Sequence, residues 1–490
     1  MKTKSTQNSW RIFSFAGVLL ASALAASAAS GSMNILWIVS DDHSWPQLGV
    51  YGDPNVKTPN LDRFAAQGMR FNRAYVTAPQ CLPSRVSLVC GRDPVGMGMT
   101  RFSAPLPKEF VTFPEILRAN GFFVGFAGRP HHLQGWSYTT NIPPLYAEMG
   151  LLTVTNRCDF VEEANAGTAE SRRVDFFNEL DDFFRVCPTN KPFFLQFGLL
   201  DPHRQFSDRK LNSFANQFDP AKMILPPDFP DTPAVRDDLA LFCGMVARMD
   251  FDVGRVLKLL DERGLATNTI VVFIGDNGAA LFRGKGCLYD MGIRVPLIIR
   301  WPGVVKANSV SDALISGTDL APTMLEAAGF QPLPTMTGRS LVKLLKGEPF
   351  QEREFAFAER GAHGDPLPSN TAALDLSRCV VSQQYKFIYN ALWQLPYWPV
   401  DFYGQPVWLD LLHRQEEGML DAQTKALYFA PHRPVFELYD LKNDPHELTN
   451  LAGKPEFAAE EFKLKMALTK WMIQEHDFLP LPAPDAPWER

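Results

Sequence analysis

The sequence lacks an Asn-x-Ser/Thr sequon, which points to a bacterial periplasmic or secreted protein rather than a glycosylated lysosomal one. It lacks a basic excess. Its 48 Lys and Arg face 54 Asp and Glu, for a net charge of -6, which excludes a general binder of nucleic acid or other polyanions. Beyond the N-terminus no apolar run is long enough to span a bilayer. Internal repeats are absent. The seven cysteines, at 81, 90, 158, 187, 243, 287 and 379, are odd in number and match no zinc-ribbon spacing, so at least one is free, modified or paired with another chain. Apolar residues make up 46% and charged ones 21% of the 490 residues, an ordinary globular balance with room for one large domain and a smaller one.

The N-terminus reads as an export signal. Lys2, Lys4 and Arg11 precede an apolar stretch from Ile12 to about Ala26, and Ala26-Ser27-Ala28 suits a small-residue cleavage site. Residues 1–28 are therefore expected to be a signal peptide, with no membrane attachment after cleavage. Without them 45 basic groups face 54 acidic ones, so an anionic substrate would be attracted only by a local cluster. A catalytic domain is expected over 29–350 and a smaller C-terminal domain over 351–490, with strands and a closing helix around 455–475.

Four apolar runs end in polar chemistry. NILWIVS (34–40) leads into Asp41 and Asp42, and TIVVFIG (269–275) into Asp276 and Asn277. PFFLQFGLL (192–200) leads into Asp201, His203 and Arg204, and GFFVGFAG (121–128) into Arg129, His131 and His132. Runs without alternation suit strands buried on both faces. Helical patterns at 58–68, 112–121 and 233–264 lie between them, which argues for a three-layer α/β domain binding its ligand at the carboxyl ends of the strands. Asp41, Asp42, Asp276 and Asn277 are hard oxygen donors suited to Ca²⁺, with Mg²⁺ second. Helix caps and turns would use the same residue types, yet adjacent carboxylates at a buried strand end call for a cation.

The stretch APQCLPSRVSLVCG (78–91) places Cys81 ahead of Pro83, which suits a first helical turn. Cys81 would then meet free backbone N–H groups, with Arg85 one turn on. A thiol there would be expected to ionise easily, though a thiolate is a poor companion for four oxygen ligands.

Cys81-Leu82-Pro83-Ser84-Arg85 resembles the Cys-x-Pro-Ser-Arg signature of the type I sulfatases. The resemblance runs from about Asn34 to about Pro480. It implies an alkaline-phosphatase-like fold with a large, mainly parallel mixed sheet and a smaller C-terminal α+β domain. It also implies that a maturating, formylglycine-generating enzyme oxidises Cys81 to Cα-formylglycine, an oxygen nucleophile. Asp41, Asp42, residue 81, Asp276 and Asn277 would hold one Ca²⁺, and Arg85 would support the nucleophile and the anion. Gly128-Arg129-Pro130-His131 resembles the family's Gly-Lys-x-His, with Arg129 in place of lysine and His132 competing with His131 for the histidine's role. His203 and Lys285 match groups that contact sulfate and help protonate the leaving group. Cys90 is expected to pack rather than react.

PFFLQFGLLDPHR, TPAVRDDLALFCGMVARMD, DFYGQPVWLDLL and ELYDLKNDPHELTNL resemble the heparan N-sulfatase (sulfamidase) branch, implying exo action on N-sulfoglucosamine at the end of heparan or heparin fragments. RGKGCLYDMGIRVPLIIRWPG (283–303) instead has the form usual in glycan O-sulfatases. Asp201, Arg204 and Arg294 are candidate substrate contacts, although Asp201 and Arg294 equally suit structural ion pairs. The charged residues of ELYDLKNDPHELTNL are expected in solvated turns. Rival readings are a phosphodiesterase or phosphonate hydrolase of the same superfamily, and a non-catalytic glycan-binding protein with unconverted Cys81.

Overall fold

The structure, a computed structural model, describes residues 33–101, 105–129, 133, 144, 148–163, 169–363 and 374–482. The expected signal peptide, His131 and His132 lie outside the described residues.

An eight-stranded sheet forms the centre. Its members are β1 (Asn34–Ser40), β2 (Met69–Phe71), β4 (Phe123–Gly128), β5 (Phe160–Glu163), β6 (Phe193–Gly198), β7 (Thr269–Gly275), β8 (Leu297–Arg300) and β9 (Ser309–Ser311). β3 (Ala74–Tyr75) pairs separately with β10 (Ile315–Ser316). The order is β5-β4-β6-β1-β7-β8-β2-β9. The first five strands run parallel, and β8 lies antiparallel to both β7 and β2. The mainly parallel mixed sheet expected from the sequence is thus observed.

Alternation along the central strands explains the three layers. Ile35, Trp37 and Val39 enter one apolar core with Ile270, Val272 and Ile274. Leu36 and Ile38 point the other way, into a second core with Val271 and Phe273. Both faces are covered, so the strands read as unbroken apolar runs. The expected helices form at Pro59–Ala66, Phe113–Ala119 and Pro233–Glu262. Thr112 and Glu115 close a capping box on the second, and Thr232 caps the third by accepting from Val235 N–H.

A separate antiparallel sheet contains β11 (Ala356–Arg360), β12 (Ser377–Val381), β13 (Tyr385–Asn390) and β14 (Phe436–Asp440) in sequence order. The helix Ala458–Gln474 packs Leu464, Leu468 and Met472 against Val380, Phe387 and Leu438 in a third core. The charges of 436–450 depart from expectation, since Glu437 and Glu447 are buried. Buried Lys386 requires partners. It lies 2.9 Å from Glu447 and 2.6 Å from Asp290, whereas Asp440, also buried, ends β14 and opens a turn, accepting from Lys442 and Asn443 N–H.

Among the described residues no helix is long and apolar enough to cross a membrane. No disulfide links the seven cysteines, and Cys90 is buried in the first core.

Candidate active site

The register of the two central strands builds the acidic cluster. Ser40 pairs with Gly275, so the residues that follow each strand emerge side by side. Asp42 N–H donates to Asp276 Oδ1 at 2.9 Å, and Asn277 Nδ2 donates to Asp42 Oδ1 at 2.9 Å. Asp41, Asp42, Asp276 and Asn277 are fully buried. Asp42 turns through a left-handed backbone (φ 61°), uncommon outside glycine though best tolerated by Asp and Asn.

The helix Cys81–Cys90 begins at the expected residue. Cys81 Sγ lies 3.6 Å from Asp41 Oδ1 and 3.7 Å from Asp42 Oδ1. Arg85 Nε donates to Asp276 Oδ2 at 2.8 Å, and its guanidinium stands 3.6 Å from Asp41 Oδ2. Ser84 Oγ donates to the Asp276 carbonyl. The expected easy ionisation of the thiol is overturned. Burial pushes Cys81 well above the usual thiol range, and although Lys285 opposes this, Asp276, Asp41 and Asp42 add to it.

Arg129 follows β4 and brings Nε to 2.6 Å from Asp41 Oδ2. Gly128 makes the approach possible. Its φ is 87°, and a Cβ there would fall 2.0 Å from the Gly198 carbonyl oxygen. Burial alone would raise the Asp41 carboxyl, but Arg129, His203, Arg85 and Lys285 hold it well below the usual carboxylate range. Asp276 goes the other way, pushed up to about 7 by burial and Asp41 against the pull of Arg85. Asp276 thus registers the crowding of three carboxylates in one buried cluster. Asn277 Oδ1 is also buried without a hydrogen-bond partner. Three crowded carboxylates and an orphaned amide oxygen, all hard donors, fit a divalent cation of the Ca²⁺ type.

Lys285 and His203 complete the floor. Lys285 Nζ lies 2.9 Å from Asp42 Oδ1 and 3.3 Å from His203 Nε2. Burial would lower its ammonium, but Asp401 and Asp42 hold it well above the usual lysine range. His203 Nδ1 bonds to the Arg204 carbonyl, which can only accept, so Nε2 is the atom that faces the site. The imidazole joins Asp41, Asp42 and Cys81 in a set whose donor atoms lie within 4.8 Å of one another.

The candidate substrate contacts are engaged elsewhere. Asp201 forms a buried two-pronged pair with Arg248, both contacts 2.7 Å. Arg204 reaches Asp238 at 2.8 Å and the Ala280 carbonyl at 2.7 Å. Arg294 meets Asp290 at 3.1 Å and stacks 3.5 Å over Trp45. Two neighbours of the site went unread in the sequence. Asp401 Oδ2 lies 2.6 Å from Lys285 Nζ, and His363 Nε2 lies 3.0 Å from Asp401 Oδ1. Asp401 opens the DFYGQPVWLDLL stretch, where no buried strand marks it.

A hydrolase site is defined here by carboxylates, a helix-start cysteine and surrounding cations at the carboxyl ends of a parallel sheet, in an alkaline-phosphatase-like fold. Residues 33–330 match the sulfatase family, and 278–391 match the C-terminal region of N-sulphoglucosamine sulphohydrolases. The chain belongs to the sulfatase family and is an enzyme of it. It is 29% identical over 489 residues to the human N-sulphoglucosamine sulphohydrolase, covering 91% of this chain and 90% of that one. An ulvan-active sulfatase of Formosa agariphila is 27% identical, with 92% and 76% covered. Among solved structures, one bound to its substrate D-glucosamine-2-N,6-O-disulfate superposes with a TM-score of 0.66 at 21% identity, covering 91% of this chain and 99% of that one. The phosphonate monoester hydrolase of Agrobacterium radiobacter superposes at 0.67 and 20% identity, with 90% and 96% covered. At these identities both show the fold alone.

Proposed function

We propose that the protein is an exo-acting N-sulfoglucosamine sulfohydrolase of heparan or heparin fragments, with Cys81 converted to formylglycine by a maturating enzyme and one Ca²⁺ held by Asp41, Asp42, residue 81, Asp276 and Asn277. The carrying observation is the position of Cys81. A thiol 3.6 and 3.7 Å from two carboxylates, held protonated by burial, is a poor nucleophile and a poor ligand for a hard ion. Converted to a hydrated aldehyde, the same residue supplies the oxygen that attacks sulfur and a second hydroxyl that releases sulfate. Bound Ca²⁺ adds positive charge where sulfate charge spreads.

The chain's own groups do the rest. Arg85 and Arg129 border the nucleophile and carry fixed charge toward a sulfate. His203 Nε2 and Lys285 Nζ stand beside it as the groups that protonate the departing nitrogen or oxygen. His131, outside the described residues, is assigned here to the nucleophile's hydroxyl. Asp201, Arg204 and Arg294, fully paired already, are better assigned to support than to sugar binding.

The sugar assignment rests on the match to N-sulphoglucosamine sulphohydrolases across 278–391 and on the similarity along nine-tenths of the chain. In the segment resembling O-sulfatases, Asp290 accepts from Lys386 and Arg294, and a glycan O-sulfatase is the alternative that the assay separates. The test is sulfate release from N-sulfoglucosamine, 6-O-sulfated N-acetylglucosamine and a sulfated galactose, with a phosphodiester in parallel. Activity on the O-sulfates with none on the N-sulfate would defeat the sugar assignment. Phosphodiester turnover without sulfate release would defeat the sulfatase reading. An unconverted Cys81 peptide mass in active enzyme would defeat the formylglycine.

A further inference from the structure

We infer that Asp401 is the positioning residue for leaving-group protonation, acting through Lys285 and backed by His363. The inference rests on the sulfatase reading of the same site.

Three distances carry it. Lys285 Nζ is held between two carboxylates, 2.9 Å from Asp42 Oδ1 and 2.6 Å from Asp401 Oδ2. The second oxygen of Asp401 is fixed by His363 Nε2 at 3.0 Å. His203 Nε2 stands 3.3 Å from Lys285 Nζ and 3.9 Å from Asp401 Oδ2. Asp42 belongs to the acidic cluster at the end of β1, whereas Asp401 comes from a loop beyond β13. The ammonium is therefore suspended between the metal-side acid and an acid on the opposite wall. His203 Nε2 also lies 3.6 Å from Asp42 Oδ2, so without Asp401 the ammonium would lose its 2.6 Å partner and be held by Asp42 alone, its N–H bonds turned toward that acid.

The backbone agrees. Asp42 and Asp401 both occupy the left-handed region, at φ 61° and 67°. Such conformations cost energy outside glycine and persist where surrounding structure enforces them. The Asp401 side chain is about one-fifth exposed while that of Lys285 is 1% exposed.

The step served is a proton transfer. As the bond from sulfur to the bridging oxygen or nitrogen breaks, its electron pair stays with the departing atom. An N–H bond of the Lys285–His203 pair breaks and the proton joins that atom. Asp401 touches neither atom; it sets where the donor stands.

The prediction concerns leaving groups. A substrate whose leaving group is already a good one, 4-nitrophenyl sulfate, needs little protonation, whereas phenyl sulfate needs more. Neither has a sugar hydroxyl to bind. Asp401→Asn keeps the side-chain shape and removes the charge. Its kcat should fall on the order of 10²-fold on phenyl sulfate, the usual worth of a positioned acid, and by no more than about threefold on 4-nitrophenyl sulfate. KM should change little on either. An equal loss across the two substrates would mean a structural role and overturn the inference. So would an unchanged aryl series with a loss confined to sugars, which would make Asp401 a sugar contact. If Asp401→Asn does not fold, His363→Gln should produce the same bias in smaller degree, and no bias would overturn the inference. Wild-type enzyme inert toward every sulfate would overturn the sulfatase reading itself, an outcome distinct from either variant result.

Discussion

Replacing Arg129 tests the electrostatics of the whole cluster. Its Nε is 2.6 Å from Asp41 Oδ2, and the next guanidinium, that of Arg85, is 3.6 Å from the same oxygen. Both side chains are nearly dry, at 9% and 0% exposure. At an effective dielectric of about 20, unit charges this close attract by about 6 kcal/mol. Desolvation of the two groups offsets part of that, and deleting one partner of a buried pair costs about 3–5 kcal/mol. Arg129→Ala should therefore lower folding stability by roughly that amount in metal-free protein, and less with Ca²⁺ present, because the ion takes over compensation of Asp41. Turnover should fall independently. Loss of one electrostatic donor at the reacting group removes about 2.7–4 kcal/mol of transition-state stabilisation, or roughly 10²–10³-fold in kcat. Arg129→Lys keeps the charge and should retain most of the activity, losing only the planar fork. The assays are kcat/KM on an aryl sulfate and denaturation with and without Ca²⁺. Near-wild-type kcat/KM in Arg129→Ala would refute the reasoning and leave the sulfate clamp to other groups.

Cys81→Ala should abolish turnover with melting temperature nearly unchanged, while Cys81→Ser should take up a sulfate it cannot release, visible by intact mass; multiple turnover by the alanine variant would sink the formylglycine assignment. Chelation should lower the thermal midpoint, and Ca²⁺ at about a hundred times its Kd should restore about 2.7 kcal/mol; no shift would count against a metal in the acidic cluster. Asp201→Asn should cost about 3–5 kcal/mol through the unpaired Arg248 and leave KM nearly unchanged, whereas a large KM effect would return Asp201 to the substrate. Glu359, whose carboxyl burial pushes up to about 8 while Arg378 opposes it, stays protonated in the folded chain between about pH 4.5 and 8 while the unfolded chain releases the proton. Stability should thus decline with rising pH across that window. Glu359→Gln should flatten the decline, and an unchanged slope in urea titrations would refute the burial argument.

The centre of the fold and its acidic cluster were legible because each buried strand and the residues at its end are adjacent in sequence, while the roles of Arg129, His203 and Lys285 were read from the resemblance to the sulfatases. A strand buried on two faces must be apolar throughout, so 34–40 and 269–275 stand out, and parallel pairing then brings Asp41, Asp42, Asp276 and Asn277 together with no further information. The helix at Cys81 was legible through Pro83. What could not be read came from distant segments meeting. Asp401 is 116 positions from Lys285, on a loop with no period or strand to mark it. Arg204 looked like a free cation at a strand end, but Asp238, from the Pro233–Glu262 helix, claims it. The thiol's resistance to ionisation comes first from burial, with three carboxylates from two other segments adding to it, and both are visible only in three dimensions. Glu447 looked like a turn residue because its counterpart, Lys386, lies on another strand.

The burial of Cys81 also imposes an order in time. The residue is 1% exposed, sealed at the start of its helix beneath Asp41 and Asp42. No second enzyme can bring its own active site to that sulfur once β1, β7 and the Cys81–Cys90 helix have closed around it. On the proposed conversion, oxidation would have to reach the stretch while it is still an open chain, before the sheet assembles. On that reading a batch of folded protein would carry a fixed ratio of converted to unconverted molecules, set during synthesis and beyond later repair. Changing expression conditions should alter specific activity by changing that ratio, with the activity of each converted molecule constant.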